Sequence, residues 1–259
     1  MQEKRRLRSF NISLATTAVI IILWSTVTSL KLISPVLLPS PLRVGQTFIN
    51  LCLVGYNGTL LYQHYLITLG RLLIAVVLAI VIGIPLGLLS GYVPTVKAVV
   101  DPIVQFIRPI PPLAYYTLLI LWLGIGETSK VTLLFLAALP PIYLACFDAV
   151  VKINREYIRG ASSLGADQRQ IFFHVVFPAA LPDVFTGVRS AVGVAYTTIV
   201  SAEMIAASAG IGWMIVDASH YLKSDVMFVG IIVLGVTGVV LDWMIKLVEN
   251  RVVHWRGKF

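Results

Sequence analysis

Residues 151–182 read VKINREYIRGASSLGADQRQIFFHVVFPAALP, a polar stretch lying between two long apolar runs. A bare connector between helices would be shorter than these roughly 30 residues. The stretch predicts two short helices around Gly165: the first ends near Leu164, and the second opens on Asp167 as an N-cap and runs to Phe177, where Pro178 stops it. Ile171, Phe172, Val175 and Val176 recur at helical spacing and give that second helix an apolar face. Something outside the segment is expected to cover it.

The rest of the chain sets this segment in a membrane. Of 259 residues 58% are hydrophobic and only 12% charged, and the mean hydropathy is +0.90, too little polar surface to coat a soluble globule. Runs near 12–30, 66–89, 99–123, 131–151, 182–205 and 227–248 are each long enough to cross a bilayer. The fold class is therefore an all-α, multi-pass membrane protein of about six transmembrane helices, with residues 1–65 as an N-terminal helix and external segment. Residues 66–259 form the core domain, with the cytoplasmic stretch 152–178 inside it. The first run follows Lys4, Arg5, Arg6 and Arg8 as a signal peptide would, yet no small-residue cleavage site follows, so it reads as a retained helix.

Charge gives the orientation. With both termini cytoplasmic, only Lys31, Arg43, Arg71, Lys130 and Lys223 of the 20 basic residues fall outside, and Lys97, Arg108, Lys152, Arg155, Arg159, Arg169, Arg189, Lys246, Arg251, Arg256 and Lys258 join the N-terminal cluster within. The net charge of +8 thus reflects topology, and no basic stripe with interleaved aromatics points to nucleic acid. Cys52 and Cys146 lack metal-ligand spacing and read as packing residues.

Two spans carry special signals. Gly83, Gly87 and Gly91 form overlapping G-x-x-x-G patterns, which let a second helix approach closely where lipid supplies no hydrophobic drive. The third run holds Asp101, Pro102, Arg108, Pro109, Pro111 and Pro112 in its first half. It is either a broken helix beside a watery path or a cytoplasmic loop leading into a short tilted helix. On the first reading Arg108 attracts anions, and one of Tyr115 and Tyr116 lines the path. Adjacent helical residues cannot both face it, and the alternative is an interfacial aromatic belt. Glu203 either gates the path or caps and pairs locally at the outer interface, while Asp242 and Lys246 form an i, i+4 pair.

Chemistry of the chain's own is not indicated. Gly124-Ile-Gly126-Glu-Thr-Ser-Lys130 lacks Walker spacing and a preceding strand, and His64, His174, His220 and His254 belong to no paired-ligand pattern. No G-x-S-x-G elbow occurs. A stand-alone channel or an intramembrane enzyme would leave the greasy cytoplasmic helix without a purpose.

The same segment resembles the cytoplasmic signature of binding-protein-dependent ABC importer permeases, E-A-A, three residues, G, nine residues, I-x-L-P. Here the register gives Arg159-Gly160-Ala161, then Gly165-Ala166-Asp167, then Val175-Val176-Phe177-Pro178. Arg159 replaces the acidic residue and Gly160 an alanine, so no role of the family's glutamate carries over. The blocks Arg108-Pro-Ile-Pro-Pro-Leu-Ala114, Trp122-Leu-Gly-Ile-Gly-Glu-Thr-Ser-Lys130, Ser201-Ala-Glu-Met-Ile-Ala-Ala207, Gly210-Ile-Gly212 and His254-Trp-Arg-Gly257 are similar to the taurine, alkanesulfonate, nitrate and bicarbonate permeases, the taurine branch most of all. The resemblance implies a type I importer (MetI-like) permease fold in a bacterial inner membrane, and a homodimer. It also implies two ABC ATPase subunits docked on Arg159 to Pro178, with Ile171 and Phe172 foremost, and a periplasmic binding protein that delivers a small sulfonate or another small oxyanion. ATP and Mg would sit on the ATPase, and this chain would bind no cofactor.

Overall fold

The computed structural model describes residues 2–255, and the side chains of these apart from 2–11, 13 and 14. Arg256, Gly257 and Lys258, and the side chains of Lys4, Arg5, Arg6 and Arg8, lie outside the described residues. All regular elements described are helical: α1 (Gln2–Ser29), α2 (Pro41–Leu53), α3 (Leu61–Tyr92), α4 (Pro94–Ile107), α5 (Pro112–Leu123), α6 (Glu127–Val151), α7 (Arg155–Ser163), α8 (Gln168–Ile171), α9 (Phe177–Ala206), α10 (Ile211–His220) and α11 (Ser224–Val252). By length and composition four runs can cross a membrane, namely α3, α6, the continuous run Gln168–Ala206 and α11. The pair α4 and α5, bent by 102°, makes a fifth if it is counted as one span, and α1 adds a shorter apolar stretch, Ala15–Ser29. The expected six spans thus become four or five among the described residues.

The third run forms two helices joined at a proline bend. Pro109, Pro111 and Pro112 cannot donate to a helical ladder, so α4 ends at Ile107 and Pro112 opens α5 at a position whose N–H needs no partner. Pro178 does the opposite of what its sequence suggests. Residues Phe172–Val176 form a π-helical turn in which the Phe177 N–H reaches back to the Phe172 carbonyl, and the helix runs straight through Pro178 into α9. The wider turn relaxes the ring clash that would otherwise end the helix.

The core is α3 against α6 and α6 against α9, with Leu72, Ala79, Leu134, Ile142, Cys146 and Ile199 among its fully enclosed residues. The three glycines of the G-x-x-x-G repeats face α6: a Cβ on Gly87 would stand 2.5 Å from the Tyr143 carbonyl oxygen, and one on Gly91 2.6 Å from Val150 Cβ. A second cluster joins α2, α10 and α11 through Val44, Leu51, Met214 and Val229. Ser40 caps α2 by accepting the Arg43 N–H, and Arg43 and Thr47 bind Asp225 at the head of α11 at 3.3 and 3.0 Å. Cys146 is a packing residue as expected, whereas Cys52 is exposed on α2.

Because both helices meet through backbone, Gly87→Leu is expected to force α3 from α6 and cost about 2 kcal/mol or more. Gly70→Ala, where nothing lies within 4 Å, should be tolerated. Thermal unfolding of the detergent-purified protein checks the pair; equal melting temperatures would refute the close contact.

Candidate functional site

At the end of the bundle away from 152–178, four helices meet around one carboxylate. Glu203 near the end of α9 is fully enclosed, and its oxygens accept from Arg71 Nη1 at 2.6 Å, Thr68 Oγ1 at 2.8 Å and the Gly212 N–H at 2.8 Å. Arg71 also grips Glu127 with Nε at 2.5 Å and Nη2 at 2.7 Å, and the Nη1 that binds Glu203 donates to the Ala209 carbonyl as well, at 2.9 Å. Lys130 completes the set at 3.0 Å from Glu127, one turn along α6. Arg71 and Glu203 therefore neutralise each other in an enclosed pair, and Glu127, whose side chain is 62% exposed, binds Arg71 and Lys130 from the rim.

The loop into α10 is moulded on this cluster. Ile211 N–H donates to Thr68 Oγ1 at 2.9 Å and Gly210 N–H to His64 Nδ1 at 3.1 Å, so the first donors of α10 are satisfied by side chains of α3. Gly210 has φ +130°, and a Cβ there would collide with the Glu203 carboxylate. Glu203 pairs locally and is fully enclosed, in the manner of the capping and pairing reading. The charge count leaves Arg71 and Lys130 among the external charges; the signal that marks Arg71 is an arginine and a threonine inside the apolar run 66–89.

A cleft of about 340 Å³ opens lower down between the third, fourth and fifth runs, lined by Arg108, Pro141, Leu144, Ala145, Thr186, Gly187 and Ser190. Helix α9 lies close to α6 here because Gly187 faces the Pro141 carbonyl oxygen, 3.3 Å from where a Cβ would be. The exposed Arg108 caps α4 and has no ion-pair partner among the described residues. Pro111 and Pro112 form the bend beside it. Tyr116 is buried, with its hydroxyl 3.4 Å from the Ala202 carbonyl, and so cannot line a path; Tyr115 is half-buried.

The 152–178 segment folds as two helices about Gly165, as its residues suggest. Asn154 caps α7 by accepting the Glu156 N–H, and Gly165 at φ +85° ends it. The Ala166 N–H returns to the Ala161 carbonyl at 3.1 Å and the Gly165 N–H to Ser162 at 3.0 Å, a complete left-handed C-terminal cap. Asp167 and Gln170 then exchange backbone and side-chain bonds at 2.6 and 2.9 Å to start α8. The expected docking face is corrected. Ile171 is fully buried in the core, and Phe172 is half-buried with its ring edge-on to Tyr92 at 5.5 Å. Val175 and Pro178 are half-buried as well, while Arg159 and Gly160 are exposed on α7. The apolar side chains that do project are Leu164, 91% exposed, with Tyr157 and Phe173 at 66% and 63%.

Comparison with known proteins follows the same lines. The family model described as binding-protein-dependent transport system inner membrane component matches residues 83–254. The taurine transport system permease protein TauC of Escherichia coli is 38% identical over 252 residues, 97% of this chain and 92% of its own. The nitrate import permease protein NrtB of Synechocystis is 33% identical over 221 residues, 83% of this chain and 80% of its own. A solved inward-facing form of the MetNI methionine ABC transporter matches with a TM-score of 0.56 at 22% identity, covering 72% of this chain and 91% of that one, and so shares the fold.

The charge balance around Glu203 makes a specific expectation. Arg71→Leu leaves the enclosed Glu203 carboxylate without its cation and should cost about 3–5 kcal/mol, whereas Arg71→Leu combined with Glu203→Leu should recover a large part of it. A double-mutant cycle on thermal stability measures this, and strictly additive losses would show that the two side chains do not depend on each other.

Proposed function

Because this chain belongs to the family of inner membrane components of binding-protein-dependent transport systems, we propose that it is the permease of an ATP-driven importer of small sulfonates, taurine foremost. It is a transport component and not an enzyme; hydrolysis of ATP falls to partner ATPase subunits. The observation that carries the substrate reading is the 38% identity to the taurine permease along 97% of the chain. A second reading, another small oxyanion such as nitrate or bicarbonate or an alkanesulfonate, is favoured by the 33% identity to the nitrate permease.

Two copies of the chain would enclose the path between them, and the cleft at Arg108 would be its lining. An arginine there, beside the hydroxyls of Thr186 and Ser190, suits an oxyanion through charge-assisted hydrogen bonds, and the walls of Pro141, Leu144 and Ala145 supply no competing negative charge. Selectivity would reside largely in the binding protein, so the path needs only weak contacts.

Coupling to the ATPase would use the exposed tip. Leu164 projects from the cap that Gly165 closes, and Tyr157 and Phe173 flank it, so a partner cleft would take Leu164 as its anchor. Ile171 and Phe172 would hold the segment to the core and set its angle, a positioning role that the buried contacts support.

Three measurements test these assignments. Ligand binding by the cognate binding protein should show a sulfonate preferred over nitrate and bicarbonate; the reverse order replaces the substrate and leaves the permease assignment standing. Arg108→Gln should lower uptake into liposomes at least severalfold with unchanged melting temperature, and unaltered uptake would remove Arg108 from the path. Leu164→Asp and Gly165→Val should weaken recovery of the ATPase in a pull-down or uncouple its activity from uptake, because a side chain at Gly165 costs about 1 kcal/mol in its left-handed conformation. Full recovery and full coupling in both variants would place docking elsewhere.

A further inference from the structure

A second cluster of charge sits on a different face of α9, turned away from the Arg108 cleft and toward α11. Arg189 donates through Nε to Asp242, and Lys246, one turn further along α11, binds the same carboxylate at 2.7 Å. The three side chains are each between 39 and 47% exposed and sum to a single positive charge. Arg189 uses only its Nε edge; its two terminal nitrogens have no hydrogen-bond partner among the described residues. A guanidinium half-open in this way calls for an oxyanion.

Depth says where that oxyanion resides. A bilayer core spans about 20 helical residues. Counted from Ser224 along α11, and from Ala206 backward along α9, that length brings Asp242 to Lys246 and Arg189 to the same hydrocarbon edge, on the side of the 152–178 segment. Trp243, 61% exposed, marks the level as an interface. Directly beside the cations a groove of about 90 Å³ runs between the two helices, walled by Val192, Gly193, Tyr196, Gly238, Leu241 and Ile245. Its floor is open because Gly193 has no atom within 4 Å of its Cβ position, and Tyr196 has turned its hydroxyl away to the Leu234 carbonyl at 2.6 Å. The groove is thus apolar for its length and cationic at one end.

We propose that this groove is a binding site for one acidic phospholipid, its phosphate held by the free edge of Arg189 and by Lys246 and one acyl chain laid along Gly193, Gly238 and Leu241. The net positive charge favours an acidic headgroup over a zwitterionic one, whose cationic end would face Arg189 and Lys246. The site lies roughly a third of a turn around α9 from the face at Thr186, Gly187 and Ser190, so a lipid there would not enter the Arg108 cleft.

Native mass spectrometry of the detergent-purified full chain, equilibrated with equal phosphatidylglycerol and phosphatidylcholine, tests it. The wild-type chain should retain phosphatidylglycerol about tenfold over phosphatidylcholine. Arg189→Gln should abolish the preference, and Gly193→Leu, which fills the groove without touching a charge, should reduce retention of both lipids severalfold. Lys152→Gln, an exposed cation of the same end, should leave the preference intact. Equal retention of the two lipids by the wild type, a preference that survives both groove variants, or an equal loss in Lys152→Gln would overturn the site. So would complete displacement by millimolar inorganic phosphate, which would make it an anion site with no lipid component.

Discussion

A carboxylate cannot be sealed from water without a partner, and Glu203 is sealed. That requirement draws α3, α6, α9 and the start of α10 to one point, because Arg71, Glu127, Lys130, Thr68 and the Gly212 N–H each supply a piece of the answer. Close packing alone would allow α3 to slide along α6 on its glycine seam. The bidentate clasp of Arg71 on Glu127, with its Nη1 on Glu203 and Ala209, fixes the register at one end, and the seam of Gly83, Gly87 and Gly91 then sets the spacing along the rest.

Helix α9 carries this order across the molecule. The run Gln168–Ala206 is one continuous helix of 39 residues, about 58 Å at 1.5 Å per residue, with Glu203 near one end and the capped turn at Gly165 just beyond the other. Near one end it contains the π turn at Phe172–Val176, whose wider ladder carries the helix past Pro178. Ile171 just before that turn and Val176 at its end are both fully buried, so the turn is held by packing. The exposed tip at Leu164 and the polar cluster around Glu203 therefore lie toward opposite ends of one rod.

The faces of α9 divide the remaining work. One face meets α6 through Gly187 and bounds the cleft with Arg108; another meets α11 through the Arg189 and Asp242 pair and bounds the apolar groove. Small residues at Gly187, Ser190 and Gly193 keep both openings from closing. Arg108 and the Arg189–Asp242 pair are consequently not loop decoration: each terminates an opening between helices.

Local chemistry was legible in the sequence wherever a residue's role depends on its neighbours in the chain. Gly165 is left-handed because the helix before it needs a cap, Asp167 opens α8 because its side chain reaches the Gln170 N–H, and the glycines at 83, 87 and 91 recur on one face whatever they meet. Composition alone fixed the membrane class, and the spacing across 159–178 fixed the kinship. What depends on a second helix was not legible. Ile171 and Phe172 have the periodicity of a docking face, and only the packing of α8 on the core shows that they face inward and leave Leu164, Tyr157 and Phe173 outside. Pro178 reads as a stop until a π turn accommodates it, and Arg71 reads as an external charge until Glu203, 132 residues away, is brought within 2.6 Å. Sequence spacing encodes which faces a helix has, and tertiary structure decides what each face meets.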